Sequence, residues 1–139
     1  MAFPDFFRAF PALDVPFPDD VVGTQAIRSD AGLVVFFTFH KDMVLPMHAH
    51  GAQWGSVIEG EITFTIGDET RVYRPGDSYS IPAGIQHGAR IKAGTRVVDV
   101  FLVGDAEDVH AGALDGFGVV IERALHLVDD EVGHLTVDI

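Results

Sequence analysis

The chain contains no cysteine in its 139 residues. Disulfides, thiolate metal ligands and a cysteine nucleophile are therefore excluded, and redox chemistry says nothing about the compartment. Positive charge is scarce as well: 9 Lys and Arg face 21 Asp and Glu, for a formal net charge of −12. Such a balance repels phosphate backbones and anionic headgroups, so neither nucleic acid nor a membrane surface is expected as a partner. No apolar run approaches the roughly 18 residues that a spanning helix requires. Residues 1–10, interrupted by Pro4, Asp5 and Arg8, lack the basic start and apolar stretch of a signal peptide. A cytoplasmic soluble protein is the expectation.

What the chain does have is enough apolar residue, 47% against 22% charged, to build one core in one domain. Residues 3–20 carry prolines at 4, 11, 16 and 18 interleaved with Phe3, Phe6, Phe7, Phe10 and Phe17. Proline removes an amide donor and favours an extended neighbour, so this stretch reads as an N-terminal arm, residues 1–20, with at most a helical turn or two over 5–10. Its phenylalanines are expected to pack on the body of the domain or on a second subunit. From 21 to 103 the punctuation is all-β. Short β-branched and aromatic runs at 22–27, 33–40, 53–58, 61–66, 71–73, 78–81, 87–91 and 96–102 are separated by turn residues such as Gly67-Asp68 and Pro75-Gly76-Asp77. About eight short strands in this order suggest a closed barrel or jelly roll. The remainder, residues 104–139, reads as a C-terminal extension on the barrel or on a partner subunit. Within it Val120, Ile121, Ala124, Leu125 and Val128 fall at helical spacing, although 119–121 can equally begin a strand.

Seven histidines are present, and two clusters stand out. His48 and His50 are two apart, and on an extended strand such residues face the same side, so both imidazoles can address one atom. With seven histidines a His-x-His pair arises easily by chance. The second cluster, Gly76-Asp-Ser-Tyr-Ser-Ile-Pro82-Ala-Gly84-Ile-Gln-His87, raises its weight. Gly76 opens a turn, Pro82 and Gly84 make a corner between strands, and His87 begins the next strand on a set face. This arrangement can aim a third imidazole from across a barrel.

In these two stretches the sequence resembles the cupin superfamily. His48-Ala49-His50 matches the paired histidines of the first family motif, Gly60 its closing glycine, and Gly76, Pro82, Gly84 and His87 the second motif. The stretch from His48 to Gly60 is similar to that of small single-domain bacterial cupins. The resemblance implies a double-stranded β-helix, the jelly-roll barrel, and a divalent transition metal (Fe, Mn, Ni or Zn) held by His48, His50 and His87. Counting back from Gly60 places Gln53 where the family has a glutamate, which makes Gln53 the candidate fourth ligand. The chain departs from the family pattern in that glutamine, in an interval from His50 that is one residue short, and in Asp42 and Ile91 at outer motif positions. A glutamine amide oxygen is a neutral donor, so the ion would keep its double positive charge. Alternatively Gln53 hydrogen-bonds a metal-bound water or a substrate oxygen.

Strand parity turns Gly55 and Val57 inward with Gln53 and turns Trp54 away. Phe37, Phe39, Phe64, Tyr79 and Phe101 are expected to include the apolar lining. His40 reads as a half-exposed strand residue, His110, His126 and His134 as surface residues, and Glu59 and Glu61 as solvent-facing. No second carboxylate in the cavity is visible in the pattern. The functional expectation is a metal-dependent protein that acts on or binds a small molecule, with a non-haem dioxygenase as one form. A redox-neutral isomerase or lyase and a non-catalytic ligand-binding module are the alternatives. A homodimer is what the resemblance implies.

Overall fold

The computed structural model describes residues 3–13 and 15–102. A short 3-10 helix, Asp5–Ala9, precedes nine strands: β1 Val22–Ser29, β2 Gly32–Phe39, β3 Met43–His48, β4 Gln53–Glu59, β5 Ile62–Ile66, β6 Glu69–Tyr73, β7 Ser78–Ile81, β8 His87–Ile91 and β9 Thr95–Leu102. They form two antiparallel sheets, one of five strands in the order β1-β2-β9-β4-β7 and one of four in the order β3-β8-β5-β6. Neighbours in the sheets are mostly distant in sequence, as in a jelly roll. The expected all-β barrel is thus present, and the helical or strand reading of 119–128 lies outside the described residues.

Period-two alternation puts one face of each sheet into a shared interior. On β2 the buried side chains are Leu33, Val35, Phe37 and Phe39, and on β9 they are Thr95, Val97, Asp99 and Phe101. Ile62, Phe64, Ala89 and Ile91 close the interior from the other sheet. Each large apolar side chain taken from water contributes about 1.5–3 kcal/mol before entropy is counted.

Eight of the nine strands coincide with the runs read from sequence. β3 does not, because Pro46 interrupts Met43–His48 and proline normally rules out a strand interior. The fold accommodates it at an edge. Among the described residues β3 pairs only with β8, and the register shifts between Leu45 and His48, around Pro46.

The arm lies on its own barrel. Phe7 sits with its ring centroid 4.6 Å from that of Phe36 on β2, and Phe3 and Phe10 lie 5.5 and 6.5 Å from the same ring. Leu13 and Val15 enter the core. The Thr24 hydroxyl accepts from the Leu13 amide at 2.8 Å and donates to its carbonyl at 2.9 Å, which fixes the arm alongside β1.

Gly60, between β4 and β5, has φ +85°, a region L side chains avoid. A Cβ there would lie 2.3 Å from Thr95 Oγ1, and that hydroxyl accepts from the Glu61 amide at 3.1 Å. Gly60→Ala therefore combines backbone strain with displacement of Thr95, and should cost at least about 2 kcal/mol. Urea denaturation of the two proteins checks this, and equal midpoints would refute it.

Candidate metal centre

His48 is the last residue of β3 and His87 the first of β8, and the two are directly opposite in the register. Their ring centroids are 4.2 Å apart. His50 lies in the connection after β3 rather than on the strand with His48, so strand parity does not aim it. Its backbone does so instead: the His50 carbonyl accepts from the Gly84 amide at 2.9 Å, tying the first histidine segment to the Pro82-Ala-Gly84 corner that delivers His87.

All three rings are oriented in the same way. Nδ1 of His48 lies 2.8 Å from the Pro46 carbonyl oxygen, Nδ1 of His50 2.8 Å from that of Gly51, and Nδ1 of His87 2.8 Å from that of Ile85. A carbonyl can only accept, so each Nδ1 carries the hydrogen and, in neutral imidazole, each Nε2 carries a lone pair. The ligand nitrogens of the three lie within 4.8 Å of one another, with all three residues buried. The Nε2 atoms of His50 and His87 are only 3.2 Å apart. Burial, opposed by the Gly51 hydrogen bond, pushes His50 down to about 4, which keeps it neutral and electron-donating near pH 7. Three lone pairs converging in a buried space are what a cation satisfies, and the group can hold a metal ion.

The residues of these two segments, in this fold, match a known pattern. The sequence profile of the cupin domain matches residues 35–104, half of the chain. The chain belongs to the cupin family. Among solved structures this cupin is similar to an RmlC-like cupin from Shewanella frigidimarina, at 24% identity and TM-score 0.61, over 73% of this chain and 91% of that one. It is also similar to KdgF from Halomonas sp., at 22% identity and TM-score 0.57, over 69% and 91%. A third is oxalate decarboxylase from Bacillus subtilis, whose structure was studied for its Mn(II) centres, at 20% identity and TM-score 0.58, over 74% of this chain and 30% of that one. At these identities the likeness is one of fold. A sequence search of curated proteins finds no match.

The interior cavity of this cupin is lined by His48, His87 and Gln53 together with Phe37, Phe39, Leu45, Phe64, Tyr79 and Asp99, among others. The centre of a water-sized sphere can reach about 30 Å³ of it, enough for about two waters. As parity requires, Gln53, Gly55 and Val57 point inward and Trp54 is 44% exposed on the opposite face. Phe101 packs on His50, with centroids 5.4 Å apart. Phe17 of the arm also lines the cavity. His40 falls just past β2 and is exposed, outside the site. Glu59 pairs with Arg96 at 2.7 Å, and Glu61 with Lys92 and Arg74, so both are partly buried ion-pair partners away from the cavity. His110, His126 and His134 lie outside the described residues.

A carboxylate is present in the cavity after all. Asp99 on β9 is 5% exposed, accepts from the Tyr79 hydroxyl at 2.5 Å and takes a further hydrogen bond from the Gln53 side chain. The signal was in the strand: in Val97-Val-Asp99-Val-Phe101 the aspartate occupies the same parity as two core residues, and a carboxylate on an inward position is rarely idle. Burial pushes Asp99 up to about 7, opposed by the donors Tyr79 and Gln53. Tyr79 is pushed well above its ordinary value by burial and by the neighbouring carboxylate.

The raised value has a sign that can be measured. Asp99 binds its proton near pH 7 in the folded chain and near 3.8 when unfolded, so its favourable contribution is complete below 3.8 and is lost as the pH rises to about 7. Asp99→Asn lacks that dependence. The stability of the variant relative to the parent, both metal-free, should rise between these pH values by up to about 1.4 kcal/mol per unit. Chemical denaturation at several pH values reads it, and a difference that does not change with pH would refute the raised value.

Proposed function

We propose that this cupin is a metal-dependent enzyme acting on a small oxygen-bearing molecule, with His48, His50 and His87 as ligands and Gln53 as the fourth. The observation that carries this reading is the convergence of three Nε2 atoms whose ring partners, the Nδ1 hydrogens, are all taken up by carbonyls. A divalent Fe, Mn, Ni or Zn ion bound there would supply Lewis-acid polarisation of a small oxygen ligand, and iron would add chemistry of the dioxygenase type.

The chain's own residues set the terms. Three imidazoles and an amide are all neutral donors, so the ion's double charge stays uncompensated by its ligands and favours an anionic partner. The aromatic wall leaves only a narrow space beside the ligands, with room for about two waters. Redox-neutral isomerase or lyase chemistry is the second reading. It is favoured by Asp99 and Tyr79, two groups able to carry a proton, in the cavity wall. A homodimer belongs to the same proposal: Ile27, Trp54, Ile58 and Leu102, all at least 42% exposed, lie on the outer face of the five-stranded sheet.

Elemental analysis of protein purified without chelators or nickel resin should find close to one transition ion per chain. His48→Ala should lose most of it. Oxygen uptake by the iron-loaded protein, offered diketones and catechol-like compounds, separates the readings. Uptake in the parent but not in His48→Ala supports the dioxygenase form. Turnover without oxygen uptake supports the redox-neutral form, and metal binding without turnover of any compound leaves a ligand-binding module. An empty protein that takes up no transition ion refutes all three.

A further inference from the structure

Gly55 explains how Tyr79 reaches Asp99. In the register Gly55 on β4 is opposite Tyr79 on β7 and opposite Asp99 on β9. Tyr79, Gly55 and Asp99 thus form one row across three strands, and the outer two strands are roughly 10 Å apart. The Tyr79 hydroxyl spans that distance by passing over the glycine. A Cβ on Gly55 would stand 2.0 Å from Asp99 Oδ1 and 2.4 Å from Tyr79 Cε2. Gly55 has no positive φ to require a glycine; the contact above it does.

Gln53 is two residues before Gly55 on the same inward face, diagonal to Asp99 in the sheet. Its amide nitrogen has only hydrogens to offer and is spent on the Asp99 carboxylate. Its Oε1 is buried with no hydrogen-bond partner among the described residues, on a side chain 6% exposed that lines the cavity with His48 and His87. An amide oxygen stripped of water and left unmatched is costly, so a partner for it is expected in the cavity.

We propose that the Tyr79–Asp99 pair seated on Gly55 is a positioning device that holds the Gln53 amide nitrogen and thereby turns its oxygen toward the cation cavity. The inference rests on the metal-binding reading above and adds the reason why a glutamine serves in that place. A free glutamine presents nitrogen or oxygen with similar ease, and nitrogen first would place two N–H dipoles against a cation. Asp99, an acceptor on both oxygens when ionised, permits only one of the two orientations. Tyr79 occupies one of those oxygens, which leaves the other for Gln53.

Asp99→Asn tests this with almost no change of volume. With Tyr79 still donating to the asparagine oxygen, the asparagine NH2 is left facing Gln53 and draws Oε1 away from the cavity. At pH 8 or above, where Asp99 is ionised in the folded chain, titration of the metal-free chain with Co(II), followed by calorimetry and visible absorption, should show affinity about tenfold or more weaker in Asp99→Asn. Gln53→Ala should lose a similar factor, and the double variant no more than Gln53→Ala alone. Adding Tyr79→Phe to Asp99→Asn frees the asparagine oxygen to accept from Gln53 and should restore part of the affinity. A purely structural role would make the second substitution worse. Independently of any metal, the side-chain amide signals of Gln53 in the ¹⁵N NMR spectrum of the metal-free chain should move and exchange faster with water in Asp99→Asn. Amide signals that do not respond, or losses in Co(II) affinity that simply add, overturn the proposal. A parent chain that binds no Co(II) refutes the metal reading, and the amide signals then decide the positioning role by themselves.

Discussion

Three imidazole nitrogens with their lone pairs turned toward one another in a dry interior make an arrangement that would repel itself if the surroundings did not hold it. The carbonyls of Pro46, Gly51 and Ile85 do the holding, each within two residues of the ring it fixes. The orientation is therefore set within each histidine segment. What the barrel adds is the meeting itself. The β3–β8 pairing sets His48 against His87, and the Gly84 amide brings His50 up to both. Preorganisation of this kind means that an arriving ion finds its donors already ordered, and little conformational entropy remains to be lost.

The rest of the interior follows from that concentration of polar atoms. An interior containing three imidazoles, an amide, a carboxyl and a phenol would be costly to bury if each group stood alone. They are instead joined in short chains, Tyr79 to Asp99 to Gln53 on the five-stranded sheet and ring to carbonyl on the histidine side. The aromatic residues between them exclude water and strengthen each of these bonds by lowering the local dielectric.

Much of this could be read from the residues. Strand parity counted from Gln53 gave the inward face of 53–57, and the spacing of His48, His50 and His87 pointed to one site. Three features escaped, each for a physical reason. β3 was hidden because a proline at a bulge on an edge looks the same, in sequence, as a proline that ends a strand. His50 was assigned to a strand on spacing, whereas its direction comes from a loop and from a hydrogen bond across to Gly84, a contact between distant segments that spacing does not encode. Asp99 was legible from parity but stood in a run of valines, where one charged residue is easily taken for an outward one. Its partner Gln53 lies 46 positions earlier, and only the β4–β9 register places them together.

Pro46 has one more consequence. An open sheet edge invites a strand from another molecule, which is how native sheets seed fibrils. At the outer strand of the four-stranded sheet the proline withholds a hydrogen-bond donor and the bulge skews the backbone, while the opposite outer strand offers Glu69 and Arg71 on exposed positions. Both margins of that sheet are thereby poor templates for cross-β growth. The same irregularity that hid a strand from inspection disfavours the addition of another molecule's strand at that edge.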